Sequence, residues 1–156
     1  MKFLVLTVGK GKFPFFQKAV EHYQKNISHS AEIEILELKD MDSLLEKEAD
    51  AMIAALEKRK IWGDGKNRIL VLDEKGKQFT SEKFASTLEK WGDEGVNRVV
   101  FIVGGAFGIH KKLKEKAYAQ LSLSDFTFPH DLARVLLLEQ VYRALQIQAG
   151  SKYHHA

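Results

Sequence analysis

Three glycines, Gly104, Gly105 and Gly108, follow a run of β-branched residues that ends at Val103. Glycine allows positive φ angles and lets a ligand come close to the main chain. The segment matches neither the dinucleotide pattern G-x-G-x-x-G nor the phosphate-loop pattern G-x-x-x-x-G-K-[ST]. On its own it favours a tight turn between a strand and a helix, with a ligand-binding loop as the alternative.

Polar and apolar side chains alternate between Leu121 and Phe128. Such alternation is typical of a half-buried strand. Because small hydroxyls lead here towards a helix, the segment could instead be a loop whose backbone amides bind a flat, neutral ring such as adenine. The residues concerned are Leu121, Ser122, Leu123, Ser124, Asp125, Phe126, Thr127 and Phe128.

The long helix predicted from His130 to Ala149 is apolar nearly all round between Leu132 and Leu138, except at Arg134. A surface helix needs one apolar stripe to pack on its own core. This helix has a second stripe, which predicts contact with another subunit. An arginine among leucines must be paired or face a polar cleft, because burying it alone is costly. Glu139 and Arg143 are spaced i, i+4, as in a surface ion pair.

The chain ends in Tyr153, His154 and His155, followed by Ala156. Terminal residues are often poorly ordered. Histidine, however, can transfer protons near neutral pH, and tyrosine offers a stacking face and a hydroxyl.

Strands and helices alternate along the whole chain, which predicts an α/β fold with a mostly parallel sheet flanked by helices. Residues 1–156 show no repeat or linker, so we expect one domain. Ligands of such sheets bind beyond the carboxyl ends of the strands. Three segments qualify: the loop after Leu72, the loop after Val103, and Leu121 to Phe128.

The 156 residues include no cysteine. Disulfides, cysteine-ligated zinc, iron–sulfur clusters and a cysteine nucleophile are thereby excluded. No apolar run reaches the ~18 residues of a membrane span, and the N-terminus lacks a signal-peptide pattern. We expect a cytoplasmic protein without a membrane partner or a metal. A net charge of +3 permits a polyanionic partner without requiring one.

Taken together, these motifs resemble the SPOUT methyltransferases, in particular those that methylate N3 of a pseudouridine in large-subunit ribosomal RNA. The resemblance covers nearly the whole chain. It rests on the order and spacing of five segments: Leu72-Asp73-Glu74-Lys75-Gly76-Lys77; Gly104-Gly105 with Gly108; Leu121 to Ser124 running into Thr127-Phe128-Pro129-His130; Arg134 with Tyr142-Arg143; and Tyr153-His154.

The resemblance implies a deep C-terminal trefoil knot, a homodimer and S-adenosylmethionine as cofactor. It places the cofactor against Leu72, Gly104, Gly105 and residues Leu123, Ser124, Asp125, Phe126, Thr127 and Phe128. It implies RNA contacts at His130, Arg143 and His155. The family usually has Arg or Lys where this chain has His155. A side chain that is always positively charged is thus replaced by one that is charged only when it is protonated.

Tyr153, His154 and Arg134 are the candidates for base, orienting group and anion stabiliser, with roles that the sequence does not separate. Methylation at an imide nitrogen needs positioning, loss of a proton and stabilisation of negative charge. We expect ribosomal RNA in the assembled ribosome as substrate, and not DNA. The alternatives are a SPOUT methyltransferase for another RNA, such as tRNA, and a non-catalytic ribosome-associated RNA-binding module.

Overall fold

The computed structural model of the chain describes residues 1–9, 11–41, 44–62, 65–105 and 107–153. Strands and helices alternate, as the sequence predicts. The strands are β1 (Lys2–Val8), β2 (Glu32–Leu38), β3 (Asn67–Lys77), β4 (Arg98–Val103) and β5 (Ala119–Leu121). The helices are α1 (Pro14–Ser28), α2 (Leu45–Lys58), α3 (Ser81–Asp93), α4 (Lys111–Lys116) and α5 (His130–Gln148).

The five strands form one sheet in the order β2-β1-β4-β3-β5, and every pair is parallel. The predicted α/β class with a parallel sheet flanked by helices is confirmed. Strand β2 lies at one edge of the sheet, and all its residues are exposed or half-buried. The trefoil knot stays a prediction.

Two hydrophobic cores cover the two faces of the sheet. On one face α1, α3 and α5 pack over Phe3, Val5 and Phe101. On the other face α2 and α4 pack over a second set, which includes Leu4, Leu6, Val100 and Ile102. This is the outcome of the side-chain period of two in a strand: successive residues of β1 point into opposite cores.

Local signals explain where several helices begin and end. Pro14 occupies the first position of α1, where a missing N–H costs no hydrogen bond. Thr80 caps α3, because its hydroxyl accepts a 3.2 Å hydrogen bond from the Lys83 N–H. Gly150 follows the end of α5 with a φ of 64°, a left-handed conformation that glycine adopts readily.

Strand β3 continues further than the predicted end at Leu72. Leu72 and Lys77 both lie opposite Leu121, so residues 73–76 leave the ladder and the strand then resumes. A Cβ on Gly76 would lie 2.6 Å from the backbone carbon of Leu121. Glycine is therefore needed where the excursion passes β5.

Candidate active site

The three predicted ligand loops leave the same edge of the sheet. Strands β4, β3 and β5 are neighbours, and parallel pairing brings their carboxyl ends together. In the register, Thr7 lies opposite Val103, and Leu72 lies opposite Leu121. Adjacent strands are about 4.8 Å apart, so the loops begin within roughly 10 Å of one another.

Direct hydrogen bonds join the excursion of β3 to the segment after β5. Gln78 Nε2 donates to Asp125 Oδ1 at 2.6 Å, and Thr127 Oγ1 donates to Glu74 Oε2 at 3.1 Å. The Ser122 N–H donates to the Lys77 carbonyl at 3.0 Å. The excursion of β3 and the segment after β5 therefore form one continuous surface.

The segment from Ser122 to Phe128 is a loop. Strand β5 ends at Leu121, so the strand interpretation was wrong for residues 122–128. The loop conformation is confirmed, whereas binding of a flat ring by its amides stays a prediction. The Ser122 hydroxyl donates to the Ser124 carbonyl at 2.9 Å, and the Phe126 N–H donates to Ser124 Oγ at 3.0 Å. Serine hydroxyls shape this loop, while the Phe126 side chain is 80% exposed.

The glycine loop after β4 closes on itself. The Gly108 N–H donates to the Gly105 carbonyl at 3.1 Å, and Gly108 has a φ of 85°. A Cβ on Gly104 would clash with the Gly108 carbonyl oxygen and with Ile109. Next to Gly105 the nearest atom would be Glu48 Oε2, at 3.7 Å. Gly104 is therefore required by the turn itself, whereas Gly105 faces space that a ligand could use.

The residues at this edge fit S-adenosylmethionine in chemical character. Leu72, Leu123 and Phe128 are half-buried apolar side chains suited to an adenine ring. Glu74 and Asp125 supply carboxylates for hydroxyl, ammonium or sulfonium groups. Whether these residues contact the cofactor stays a prediction.

Asp73, at the start of the β3 excursion, is held as a carboxylate. Burial acts to raise its pKa, but hydrogen bonds from Lys114 and from the Lys75 N–H outweigh burial and lower the pKa. The ion pair between Asp73 and Lys114 ties the excursion of β3 to α4. It thereby helps to hold the excursion of β3 in place.

Arg134 is buried and paired. Its side chain is 2% exposed, and Nη1 donates to Glu37 Oε1 at 2.7 Å. Nη2 lies 4.0 Å from Asp131 Oδ1 and 3.5 Å from Gln17 Oε1. The prediction that Arg134 must be paired or face a polar cleft is confirmed, because its partners Glu37 and Gln17 both line a cleft.

The first turn of α5 is fastened to the loop that follows β1. Asp131 Oδ2 accepts a 2.8 Å hydrogen bond from the Lys12 N–H, and Asp131 Oδ1 lies 3.1 Å from His130 Nε2. A Cβ on Gly11 would lie 2.5 Å from Asp131 Oδ1 and 3.0 Å from Arg134 Nη2. The loop after β1 therefore packs directly against the buried side chains of Asp131 and Arg134.

An open cleft of about 430 Å³ lies beside the ion pair of Arg134 with Glu37. Its volume is typical of small-molecule sites. It opens where β1 and β2 end, next to the start of α1. The lining residues are Gly11, Lys12, Phe13, Pro14, Gln17 and Glu37. Sequence reasoning missed Gly11, Gln17, Glu37 and Asp131. The available signal for Glu37 was its position in β2, on the same face as the apolar Ile33 and Ile35.

Tyr153 folds back onto the middle of α5. Its hydroxyl donates to Glu139 Oε1 at 3.2 Å, and its ring packs edge-on against Tyr142 with centroids 4.8 Å apart. The Arg143 guanidinium lies 4.9 Å from the Tyr153 ring centroid. Burial first, and then the charge of Glu139, raise the pKa of Tyr153 to about 12. The hydroxyl therefore holds its proton tightly in this position.

The described part of the chain does not bring all the predicted catalytic residues together. The α5 residues that hold Tyr153 are five to nine positions beyond Arg134, a rise of roughly 8–14 Å along the helix. His154 and His155 lie outside the described residues. The predicted pair of Glu139 and Arg143 is confirmed, with two hydrogen bonds of 2.9 and 2.6 Å.

Comparison with known proteins is decisive for the family. Residues 1–154 match a family model described as a predicted SPOUT methyltransferase. The protein named ribosomal RNA large subunit methyltransferase H from Natranaerobius thermophilus is 40% identical, over 99% of this chain and 100% of its own length. Proteins of that name from Streptococcus uberis and Maridesulfovibrio salexigens are 34% and 37% identical over 99% of this chain, and over 99% and 98% of their own lengths.

This chain belongs to the SPOUT methyltransferase family. The resemblance inferred from the motifs is thereby confirmed. A solved structure, that of a probable methylase family protein from Haemophilus influenzae Rd KW20, superposes with a TM-score of 0.56 at 9% identity. The match covers 99% of this chain and 70% of that one, and it supports the fold alone.

Among the residues that the structure describes, no helix is both long and apolar enough to cross a membrane. Within the same residues, no group of three or more His, Asp or Glu side chains could hold a metal ion.

Proposed function

We propose that this chain transfers a methyl group from S-adenosylmethionine to N3 of a pseudouridine in large-subunit (23S) ribosomal RNA, in the assembled ribosome. Relatives of 34–40% identity over nearly their full lengths carry the name ribosomal RNA large subunit methyltransferase H. The structural observation that carries the proposal is the meeting of the three predicted loops at one edge of the sheet, two of them joined by hydrogen bonds.

In this proposal the cofactor binds at the edge of the sheet where the three loops meet. Leu72 and the segment Leu123 to Phe128 hold the adenine, while Gly105 and the neighbouring turn at Gly104 allow a close approach to the backbone. S-adenosylmethionine, when bound, supplies a methyl group on a sulfonium, which N3 of the base can accept once its proton has left. The remaining tasks belong to side chains of the protein.

The base must lose the N3 proton and be held in line with the methyl group. We assign proton transfer to His154, because Tyr153 donates its own hydroxyl proton to Glu139 and has a pKa of about 12. Tyr153 then orients either the pseudouridine ring or the His154 side chain. Arg134 acts through Glu37 and Gln17, since its own side chain is 2% exposed.

A homodimer is part of the proposal. Leu132 and Leu136, spaced i, i+4 on α5, are half-exposed and lie outside both hydrophobic cores. Phe15 is 60% exposed at the start of α1. A second subunit would bury such apolar surface. Because Tyr153 is held away from Arg134, either the tail moves or the second subunit supplies its own tail.

Ribosomal RNA would be held by His130, Arg143 and His155. Arg143 is already paired with Glu139, so RNA phosphate must compete with that carboxylate or accept a shared guanidinium. Such contacts would be few. We therefore expect the ribosome to provide much of the recognition through its shape.

A methyl-transfer assay with radiolabelled cofactor tests the proposal. The substrates are free 23S RNA, isolated large subunits, assembled ribosomes and tRNA, and mass spectrometry locates the product. We expect N3-methylpseudouridine in large-subunit RNA, with the fastest transfer in assembled ribosomes. Transfer only to tRNA would contradict the substrate assignment. Calorimetric titration without binding of S-adenosylmethionine would instead favour a non-catalytic RNA-binding module.

A further inference from the structure

We propose that Glu37 distinguishes pseudouridine from uridine by accepting a hydrogen bond from N1–H of the target base in the Arg134 cleft. This role presupposes the methylation of ribosomal pseudouridine proposed above and assigns its base selectivity to one residue. Glu37 would touch the substrate, whereas Arg134 would be a positioning residue behind it.

The two bases differ at a single ring edge. Pseudouridine is joined to ribose through C5, so its N1 carries a hydrogen. When uridine is placed in the same pocket it presents C5–H at that position, while the ring shape, the two carbonyls and N3–H are unchanged. Only a hydrogen-bond acceptor facing this edge can tell the two bases apart. A site built for such a bond discriminates strongly against a substrate that lacks the donor.

Glu37 is the fixed acceptor that this chemistry requires. Its Oε1 accepts the 2.7 Å hydrogen bond from Arg134 Nη1, and Arg134 is 2% exposed. The Glu37 side chain is 22% exposed and lines the cleft. A carboxylate has about four acceptor positions on its two oxygens, so pairing with Arg134 leaves acceptor capacity directed at the cleft.

The other walls of the cleft suit a pyrimidine ring. Phe13 is 50% exposed and offers a flat face for stacking, a common way of holding an unpaired RNA base. Gln17 contacts Arg134 through its amide oxygen at 3.5 Å, which leaves its N–H groups to donate to a ring carbonyl. The cleft thus combines an acceptor, a donor and a stacking surface.

The position of the cleft relative to the cofactor edge is also suitable. Glu37 lies opposite Thr7, and Thr7 lies opposite Val103, which precedes the glycine loop. Two strand spacings of about 4.8 Å separate Glu37 from Val103, or roughly 10 Å. A base whose N1–H faces Glu37 can therefore turn N3, two ring positions away, towards the glycine loop.

One short segment physically connects the two places. Thr127 contacts Glu74 at the cofactor edge, and Asp131 accepts the hydrogen bond from the Lys12 N–H at the cleft. Only four positions separate Thr127 from Asp131, and Arg134 follows in the next turn of α5. A shift of this segment would move the cofactor loop and the cleft together.

The test compares ribosomes that carry either pseudouridine or uridine at the methylated position. The variant is Glu37→Gln. Its amide oxygen should stay on Arg134, because Arg134 only donates, and its NH₂ group would then face N1–H, donor against donor. We expect kcat/KM on pseudouridine to fall at least about tenfold, and kcat/KM on uridine to change less than about twofold. Glu34→Gln is the matched control, since Glu34 lies on the same strand in an exposed pair with Arg59.

The outcomes separate the possible failures. Equal losses on both substrates, or an unchanged ratio, would overturn the role of Glu37 and point to a purely structural pair with Arg134. A wild-type enzyme that methylates both bases equally well would overturn it too. Wild-type protein that binds S-adenosylmethionine but methylates no large-subunit RNA would instead refute the proposed function, and the role of Glu37 with it. If Glu37→Gln does not fold, Glu37→Asp takes its place. The shorter side chain keeps the charge beside Arg134 but moves the acceptor away from the base. The ratio of kcat/KM on pseudouridine to kcat/KM on uridine should then fall.

Discussion

Nη1 of Arg134 lies 2.7 Å from Oε1 of Glu37, a residue 97 positions earlier in the chain, and this ion pair joins α5 to β2. A second pair of the same type, Arg59 with Glu34 at 2.7 Å, joins α2 to the same strand. The Arg134 side chain is 2% exposed, whereas the Arg59 side chain is 37% exposed. The two pairs therefore differ mainly in burial.

Burial should make the first pair matter far more for stability. Arg134→Ala leaves buried space and removes the partner of Glu37, so we expect a loss of about 3 kcal/mol in the free energy of unfolding. Arg59→Ala should cost less than about 1 kcal/mol, as exposed pairs do. Urea denaturation at pH 7 measures both variants. Similar losses would mean that burial does not govern these pairs.

The glycine loop allows a prediction that separates folding from cofactor binding. Gly104→Val places a side chain against the Gly108 carbonyl and Ile109, so the variant should lose stability as well as affinity. Gly105→Val extends towards open space. It should stay folded while affinity for S-adenosylmethionine falls at least about tenfold, or 1.4 kcal/mol. Calorimetric titration and thermal melting test both variants; unchanged affinity in Gly105→Val would remove Gly105 from the cofactor site.

The proposed dimer leads to substitutions on α5. Leu137 and Leu138 are 0% exposed within the chain's own core, so placing an aspartate at either position should unfold the protein and would not report on dimerisation. The double variant Leu132→Asp with Leu136→Asp should keep the fold and sediment as a monomer. Leu44→Asp is the control, because Leu44 is 49% exposed elsewhere. A wild-type protein that sediments only as a monomer at micromolar concentration would rule out the interface.

The tail should contribute to catalysis more than to folding. Residues 151–156 follow the end of α5, so their deletion should leave cofactor binding nearly unchanged. Methyl transfer should fall at least about a hundredfold, the scale of lost acid–base catalysis. Truncated protein with full transfer activity would remove Tyr153 and His154 from the mechanism.

His155→Arg tests the conditional cation at the end of the chain. If His155 contacts RNA phosphate, this variant should keep or raise activity, most clearly at a pH where histidine is neutral. Rates measured between pH 6 and 9 would reveal the trend. An inactive His155→Arg variant would mean that His155 does something other than carry charge.

Glu48 predicts a pH dependence of stability. Burial, and then the charge of Asp40, raise the pKa of this carboxyl, which faces the glycine loop. A raised pKa means that the protonated side chain stabilises the fold at low pH, and that this contribution disappears as the pH rises through the folded-state pKa. Glu48→Gln should therefore raise Tm at pH 7 and change it little at pH 4.

Glu46 provides the control with opposite sign. Its pKa is lowered by its hydrogen bond with Lys112, so its contribution is present at neutral pH and disappears as the solution becomes acidic. Glu46→Gln should leave Tm unchanged or slightly lower at pH 7. A higher Tm for both variants would indicate a general effect of removing negative charge, rather than burial of Glu48.

Sequence by itself determined the alternation of strands and helices and the place of the last helix. Strands and helices alternate as predicted, and α5 occupies the predicted helix from His130, ending before Gly150. These features depend on side-chain period and local backbone preference, which act between neighbours in the chain. The family motifs likewise pointed to the three loops that the parallel sheet brings together.

Tertiary structure alone decided which residues meet. Nothing local indicates that Glu37 pairs with Arg134, that the Lys12 N–H binds Asp131, or that Leu137 and Leu138 face their own core. The excursion of β3 is of the same kind, since Gly76 is required only because β5 passes beside it. Such contacts depend on strand order and on the packing of α5 across the sheet. They join residues far apart in the chain, and short-range patterns in the sequence carry no record of them.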